Sequence, residues 1–184
     1  MPRAGLTAQA VTDAAAELAD AEGLEAVTLA ALAARLGVRA PSLYAHVGGV
    51  DDLRARLAAQ GAEQLAERLQ AAVAGRSGAG ALRALAAAYR GYAREHPGAY
   101  AALQRVPGRD ERATLAAERT VAVVLAVLEG YGYRGEEALH ATRAIRSALH
   151  GFVLLEAQEG FGLALDVDES FEVLVGMLER GLAR

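Results

Sequence analysis

Four side chains between residues 39 and 46 have the chemistry to bind a nucleic acid. Arg39 carries a guanidinium fork that fits guanine O6 and N7 or a phosphate, and Ser42 can hydrogen-bond to a phosphate or a base edge. Tyr44 combines an apolar ring with a hydroxyl, so we expect it to lie half in the core and half against a phosphate. His46 can donate to a phosphate. The alternative for each is an ordinary surface side chain that faces water.

These residues belong to a pattern of two short helices joined by a tight turn. Thr28 is a good N-cap for the first helix, whose exposed N-terminus can also hold a phosphate. The first helix has one apolar stripe, formed by Leu29, Leu32, Ala33 and Leu36. Gly37 ends that helix, and Ala40 and Pro41, in the first turn of the second, would supply shape and methyl contacts. This spacing predicts a helix-turn-helix over 28–47, whose second helix can lie in the major groove of DNA.

The charge of the chain counts against strong DNA binding. The formal net charge is −4, and the first 50 residues contain three arginines and five carboxylates. Because DNA affinity depends on neutralising phosphates, a DNA-binding surface must be a small local patch. We expect this patch to contain Arg35, Arg39, Arg54 and Arg56.

The composition predicts an all-α protein. The 184 residues are 53% hydrophobic and rich in alanine, the strongest helix former, and they include no Lys, Asn, Cys or Trp. Besides the helix-turn-helix, helices are predicted over 4–22, 50–73 (capped by Asp51), 81–95, 98–105 (stopping before Pro107), 110–129, 136–159 and 168–182. Loops are predicted at 75–80 and 130–135. This makes nine helices, with no confident strand and no internal repeat.

Apolar stripes predict the buried sides of three of these helices. In the helix predicted over 50–73 the residues expected in the core are Leu53, Leu57, Leu65 and Leu69. In the helix over 110–129 they are Leu115, Val121, Val124, Leu125 and Leu128, and in the helix over 168–182 they are Phe171, Leu174, Val175, Leu178 and Leu182. The apolar runs are too short for a membrane span, acidic residues come too early for a signal peptide, and the lack of cysteine suits a reducing cytosol. We therefore expect a cytoplasmic protein.

Two groups in the second half are candidates for a small-molecule site. Tyr89, Tyr92 and Tyr100 lie on consecutive helices and are either core residues or the walls of a pocket. Arg146 and His150 follow Arg143 at i+3 and i+7. They could hold a carboxylate or phenolate if that face is buried, and they are rim or dimer-seam charges if it is exposed.

Enzyme interpretations have little support in the sequence. The glycines of GYGYRG at 130–135 match G-x-G-x-x-G, but the run before them reads as a helix, whereas a dinucleotide fingerprint needs a strand. A P-loop needs a lysine, which the chain lacks. The four histidines show no metal spacing, and no nucleophile elbow is present. We therefore expect no catalysis, no metal and no cofactor.

The sequence resembles the TetR family of transcriptional regulators over nearly its whole length. GVRAPSLYAHV at 37–47 is similar to the recognition-helix motif of the family, with Tyr44 at the usual tyrosine, and GLEAVTLAALAARLG at 23–37 resembles the segment before it. YRGYAREHPGAYAAL at 89–103 and RSALHGFVLLE at 146–156 resemble the branch with a Trp-His-Gly motif. There are two departures, since Val50 stands where a lysine is common and Arg146 stands near the place of the tryptophan.

The resemblance implies a three-helix DNA-binding domain at 1–47 and a ligand-binding and dimerisation domain at 48–184. The implied function is a ligand-responsive regulator, in most relatives a repressor. It would bind a palindromic operator as a homodimer through the last two helices, and a small molecule would release it. One alternative is a helical small-molecule-binding protein that has lost specific DNA binding, and another is a small helical enzyme that uses the pocket.

Overall fold

The structure, a computed structural model, describes residues 6–105 and 111–183. Within these residues the chain forms helices and no strand. The α-helices are α1 (Ala8–Glu22), α2 (Leu29–Leu36), α3 (Val50–Val73), α4 (Gly78–Glu95), α5 (Pro97–Arg105), α6 (Glu111–Glu129), α7 (Gly135–Ala157) and α8 (Val167–Leu182). Short 3-10 helices cover Leu24–Ala26 and Ala40–Ala45. With Ala40–Ala45 as the second helix of the helix-turn-helix, the all-α prediction of nine helices is confirmed for the described residues.

The described residues fall into two compact units. The first unit takes in Met1–Gln64 and Glu95–Ala116, and the second takes in Leu65–Arg94 and Ala117–Arg184. The helix α5 therefore belongs to the same unit as the helix-turn-helix, although it follows α4 of the other unit along the chain. The sequence boundary between 47 and 48 stays a prediction.

In the first unit, α1 and α5 are joined by a carboxylate and by a close backbone contact. One oxygen of Asp20, near the end of α1, accepts the backbone N–H groups of Gly98 (2.9 Å) and Ala99 (3.1 Å), and the other lies 3.1 Å from His96 Nδ1. A Cβ on Gly98 would lie 2.1 Å from the carbonyl carbon of Ala19, so this position has room only for glycine. The N–H groups at a helix start have no partner within the helix, and Asp20 satisfies two of them in α5.

In the second unit, a buried arginine joins three helices. Arg90 of α4 is 8% exposed and binds Glu156 of α7 through Nε at 2.9 Å and also through Nη2. The same Nη2 lies 2.7 Å from Asp168 Oδ1 of α8. Its guanidinium also lies over the rings of Phe152 and Phe171, at 5.5 and 4.7 Å from their centroids. The ion pairs with the two carboxylates and the stacking on the two rings offset the cost of burying the Arg90 charge.

Several expectations about helix ends need correction. α4 begins at Gly78, inside the predicted loop 75–80, because the Ser77 carbonyl already accepts the N–H of Ala81. The first turn of α3 contains Asp51, but it is Asp52 whose side chain binds the preceding backbone, at Gly48. The predicted helix starts at residues 4 and 110 and the stop at Pro107 lie outside the described residues.

The predicted core is only partly correct. The leucines predicted for α3 are buried, as are Val124 and Leu128 of α6. Leu115 and Val121 are exposed and Leu125 is only half-buried, whereas Ala116 and Val127 of the same helix are buried. The α8 stripe is buried at Phe171, Val175 and Leu182 and half-buried at Leu174 and Leu178. No helix in the described ranges has both the length and the hydropathy to cross a membrane.

Candidate functional site

The helix-turn-helix is held by a capped first helix and a glycine turn. The Oγ of Thr28 accepts the N–H of Ala31 at 3.1 Å, as predicted for an N-cap. Gly37 has a φ of 66°, a left-handed conformation that favours glycine, and the next N–H, from Val38, bonds back to the carbonyl of Ala33 at 2.9 Å. The chain therefore turns sharply from α2 into the second helical segment.

The predicted second helix is present and is a 3-10 helix over Ala40–Ala45. The N–H of Ser42 bonds to the carbonyl of Arg39, and that of His46 bonds to the carbonyl of Leu43, both at 2.9 Å. Each of these bonds joins residues three positions apart, which is the 3-10 pattern, and helices of this kind occur in short pieces. Leu43 is fully buried and anchors the segment to the core of the unit.

The side chains predicted to meet DNA lie on the outside of this motif. Those that are exposed are Thr28, Arg39, Pro41, Ser42 and Tyr44, while Ala40 and His46 are partly exposed. Tyr44 is 63% exposed, so the expectation that it is half in the core is wrong. The neighbouring Leu43 occupies the core position, which leaves the Tyr44 ring facing solvent.

The predicted arginine patch is mostly paired with carboxylates. The pairs are Arg35 with Glu17 at 2.8 Å, Arg54 with Glu25 at 3.3 Å, and Arg56 with Asp52 at 2.9 Å. Arg39 differs from these three, since its side chain has no hydrogen-bond or ion-pair partner within residues 6–105 and 111–183. It is therefore the cation of the patch that can bind DNA without first giving up an internal partner.

Asp52 links the end of the second segment to the start of α3. Its Oδ2 accepts the Gly48 N–H at 2.8 Å and the Arg56 Nε–H at 2.9 Å. The Arg56 hydrogen bond and then the Gly48 N–H hold the pKa of the Asp52 carboxyl below its usual value. Asp52 therefore stays charged and fixes the turn that follows His46. The side chain of Val50, in the first turn of the same helix, provides no cation.

The residues predicted to bind a small molecule are divided by the fold. Tyr89 and Tyr92 are buried on α4 in the second unit, and Tyr100 is buried on α5 in the first. His150 is half-buried on α7, and burial followed by repulsion from Arg146 lowers its pKa. Arg146 itself is exposed, as is Arg143. Their face of α7 therefore suits rim or seam charges, and the interpretation of Arg146 as part of a buried pocket needs correction.

Two structurally important residues were missed at the sequence level. Arg90 lies among the buried apolar positions of α4, between Tyr89 and Ala93. A charged residue within an apolar stripe is a sequence signal for a buried, paired charge. Asp20 gave no such signal, because its partners Gly98 and Ala99 lie 78 and 79 residues further along the chain.

Among the described residues no group of His, Asp and Glu side chains is arranged to hold a metal ion. The glycines at 130–135 follow the helix α6 rather than a strand.

Comparison with known proteins agrees with this geometry. Residues 11–57 match the model of the bacterial regulatory proteins of the tetR family, and residues 82–178 match the tetracyclin repressor-like C-terminal domain. The HTH-type transcriptional regulator YobS of Bacillus subtilis, itself uncharacterized, is 43% identical over 98% of this chain and 95% of its own length.

Solved structures of other proteins share the fold. A Rhodococcus protein of unknown function superposes with a TM-score of 0.84 at 22% identity, covering all of this chain and 98% of its own. The Acinetobacter baumannii TetR variant Q116A, determined in complex with minocycline, gives a TM-score of 0.72 at 24% identity over 96% of both chains. The two family matches, the relationship to YobS and the helix-turn-helix with its exposed polar face lead to one conclusion: the chain belongs to the TetR family and is a DNA-binding transcriptional regulator.

Proposed function

We propose that this regulator represses transcription by binding a palindromic operator through the helix-turn-helix, and that a small molecule releases it. The observation that carries the DNA-binding part is the exposed row at Arg39, Ser42 and Tyr44, held in place by the buried Leu43. Arg39 supplies a free guanidinium at the start of the segment, where recognition segments of this kind meet base edges.

The homodimer is proposed to form through α7 and α8. Both helices keep large apolar side chains exposed on the surface of this chain, among them Leu139, Leu154, Val173 and Met177. A Cβ at Gly151 would meet nothing within 4 Å, so this turn of α7 leaves space for a second copy to approach. Two such helix pairs related by a two-fold axis would form a four-helix bundle, and the same axis would give the operator its palindromic symmetry.

The effector is proposed to bind in the second unit, beside Tyr89 and Tyr92 of α4 and His150 of α7. These side chains offer aromatic surface with a few polar groups, which is the usual composition of a small-molecule site. Release of DNA requires that the effector bind the two conformations of the protein with different affinity, since equal affinity shifts nothing. The helix α3 has residues in both units and would carry the change.

The decisive experiment is fluorescence anisotropy of the purified protein with duplexes that it selects from a random-sequence library, across a salt series. Tight binding to a palindrome that weakens with salt supports the proposal, and the selected duplex then serves to screen effectors. Equal, weak binding to every duplex would contradict it and would favour a small-molecule-binding protein without specific DNA binding. Unchanged operator affinity at saturating effector would contradict the release model alone.

A further inference from the structure

The ion pair between Glu25 and Arg54 is the loosest of the three in the arginine patch. Arg54 Nη2 lies 3.3 Å from Glu25 Oε2, against 2.8 and 2.9 Å for the other two pairs. The Glu25 side chain is 70% exposed and that of Arg54 is 29% exposed. The Nε of Arg54 is buried and has no hydrogen-bond partner among the described residues. The guanidinium is therefore held close to the surface with only part of its hydrogen-bonding capacity used.

This pair lies where two helices of the proposed DNA interface begin. Glu25 belongs to the 3-10 helix Leu24–Ala26, three residues before Thr28, the exposed N-cap of α2. Arg54 lies on α3 one helical turn after Val50, so the two share a face of that helix. Val50 provides no charge at the start of α3, and Arg54 is the first cation along this face.

A phosphate can take the place of Glu25 as the partner of Arg54. An exposed ion pair contributes little stability, because water screens it and two long side chains lose freedom. A phosphate offers several acceptor oxygens to the arginine fork, and binding it also releases counterions from the DNA. Glu25 would in turn repel a phosphate that approaches the same place. The two anions therefore cannot use Arg54 at once without cost.

We propose that Glu25 competes with a DNA phosphate for Arg54. In the free protein Glu25 holds the guanidinium, and on DNA binding Arg54 exchanges that carboxylate for a phosphate at the start of the interface. Arg54 then acts as the phosphate-binding cation of α3, and Glu25 limits the affinity for DNA. This inference rests on the proposed function, because it assumes that the helix-turn-helix face meets DNA.

The test is a set of charge-removing variants measured by anisotropy across a salt series. The variants are Arg54→Gln, Glu25→Gln, the double variant, and the control Glu22→Gln, which removes an exposed carboxylate of α1 that has no ion pair among the described residues. The probe is the duplex selected by the unmodified protein. Thermal unfolding followed by circular dichroism checks that each variant is folded.

We expect Arg54→Gln to lower the salt slope of binding by about one, the loss of a single phosphate contact. Glu25→Gln should tighten binding several-fold more than Glu22→Gln does. In the Arg54→Gln background, Glu25→Gln should have only the effect of the control, because the competition no longer exists. An unchanged slope in Arg54→Gln, or equal effects of Glu25→Gln and Glu22→Gln, would overturn the inference.

The inference and the proposed function fail in different ways. If the protein selects no palindrome but still binds DNA, specific recognition fails, and the same variants are measured on a random-sequence duplex, since phosphate contacts do not depend on sequence. If it selects a palindrome and the variants behave like the control, only the role of Glu25 and Arg54 fails. If it binds no DNA at all, both proposals are wrong.

Discussion

Gly98 of α5 lies directly against the backbone of Ala19 in α1, so close that a Cβ at Gly98 would come within 2.1 Å of the Ala19 carbonyl carbon. Asp20, the next residue of α1, accepts the N–H groups of Gly98 and Ala99. A helix that follows α4 in sequence is thereby fastened to the first helix of the DNA-binding unit. Any displacement of α5 would act on α1 through this contact.

The first prediction concerns this contact. Gly98→Ala should lower the free energy of unfolding by about 1–3 kcal/mol or more. The added Cβ would clash with the backbone of Ala19, which cannot relieve the clash by changing rotamer as a side chain could. The control is Gly80→Ala on α4, where an added Cβ meets nothing within 4 Å. That change should leave stability the same or raise it slightly through helix propensity. Urea unfolding at fixed protein concentration measures both, and equal stabilities would contradict the close approach.

The second prediction concerns Arg39. Arg39→Ala should weaken binding to the selected duplex by about 1–3 kcal/mol and relax the preference at one base position, as expected for a base contact. Arg76→Ala, at an exposed arginine in the loop after α3, should leave binding unchanged. Competition among single-base variants of the duplex gives the readout. A loss of the same size on every sequence would mean that Arg39 contacts a phosphate instead.

The third prediction concerns the buried charge of Arg90. Arg90→Met should destabilise the protein by about 3–5 kcal/mol, because Glu156 then keeps a poorly exposed charge without its partner. Arg94→Met is the matched control, since Arg94 is exposed and lies 3.5 Å from the same Asp168. The control should cost no more than about 1 kcal/mol. Chemical denaturation distinguishes the two, and similar losses would argue against a special role of Arg90.

The fourth prediction is a pH dependence from His150. Burial, with repulsion from Arg146, lowers its pKa in the folded protein, so the unfolded chain takes up this proton at a higher pH than the folded one. The contribution of His150 to stability is complete above about pH 6.5 and falls as the pH drops from there toward the folded pKa.

His150→Gln should flatten the dependence of the melting temperature on pH in that range. The same substitution at the exposed His140 of α7 serves as the control and should retain it. Thermal unfolding between pH 5 and pH 8 gives the comparison. A steeper dependence in His150→Gln than in the unmodified protein would show that the sign is wrong.

The fifth prediction concerns the missing lysine at the start of α3. Val50→Lys should strengthen binding to DNA and raise the salt slope by about one, because it adds a phosphate contact on the face that also carries Arg54. Leu163→Lys, in the exposed loop between α7 and α8, adds the same charge away from the proposed interface. Equal gains from the two substitutions would indicate a general effect of net charge.

The fold and the location of the DNA-binding motif could be predicted from local sequence signals. The N-cap Thr28, the left-handed turn at Gly37 and the apolar spacing of α2 act within a few residues, so their physics is visible in the chain itself. The same holds for the leucines of α3, which repeat with the period of a helix. The high alanine content and the helical spacing of the apolar residues made the all-α fold predictable, although α3 also contains Gly61.

Only the tertiary structure decided which charges are free and which apolar faces are covered. The pairs Arg54–Glu25 and Arg90–Glu156 join residues 29 and 66 positions apart, and no periodicity encodes such a partnership. The apolar stripe of α6 likewise predicts that Leu115 and Val121 are buried, but both are exposed. A stripe shows that one face of a helix is apolar, and it does not show which element packs against that face. Helix formation is a short-range property of the chain, whereas pairing and burial depend on neighbours that folding brings together.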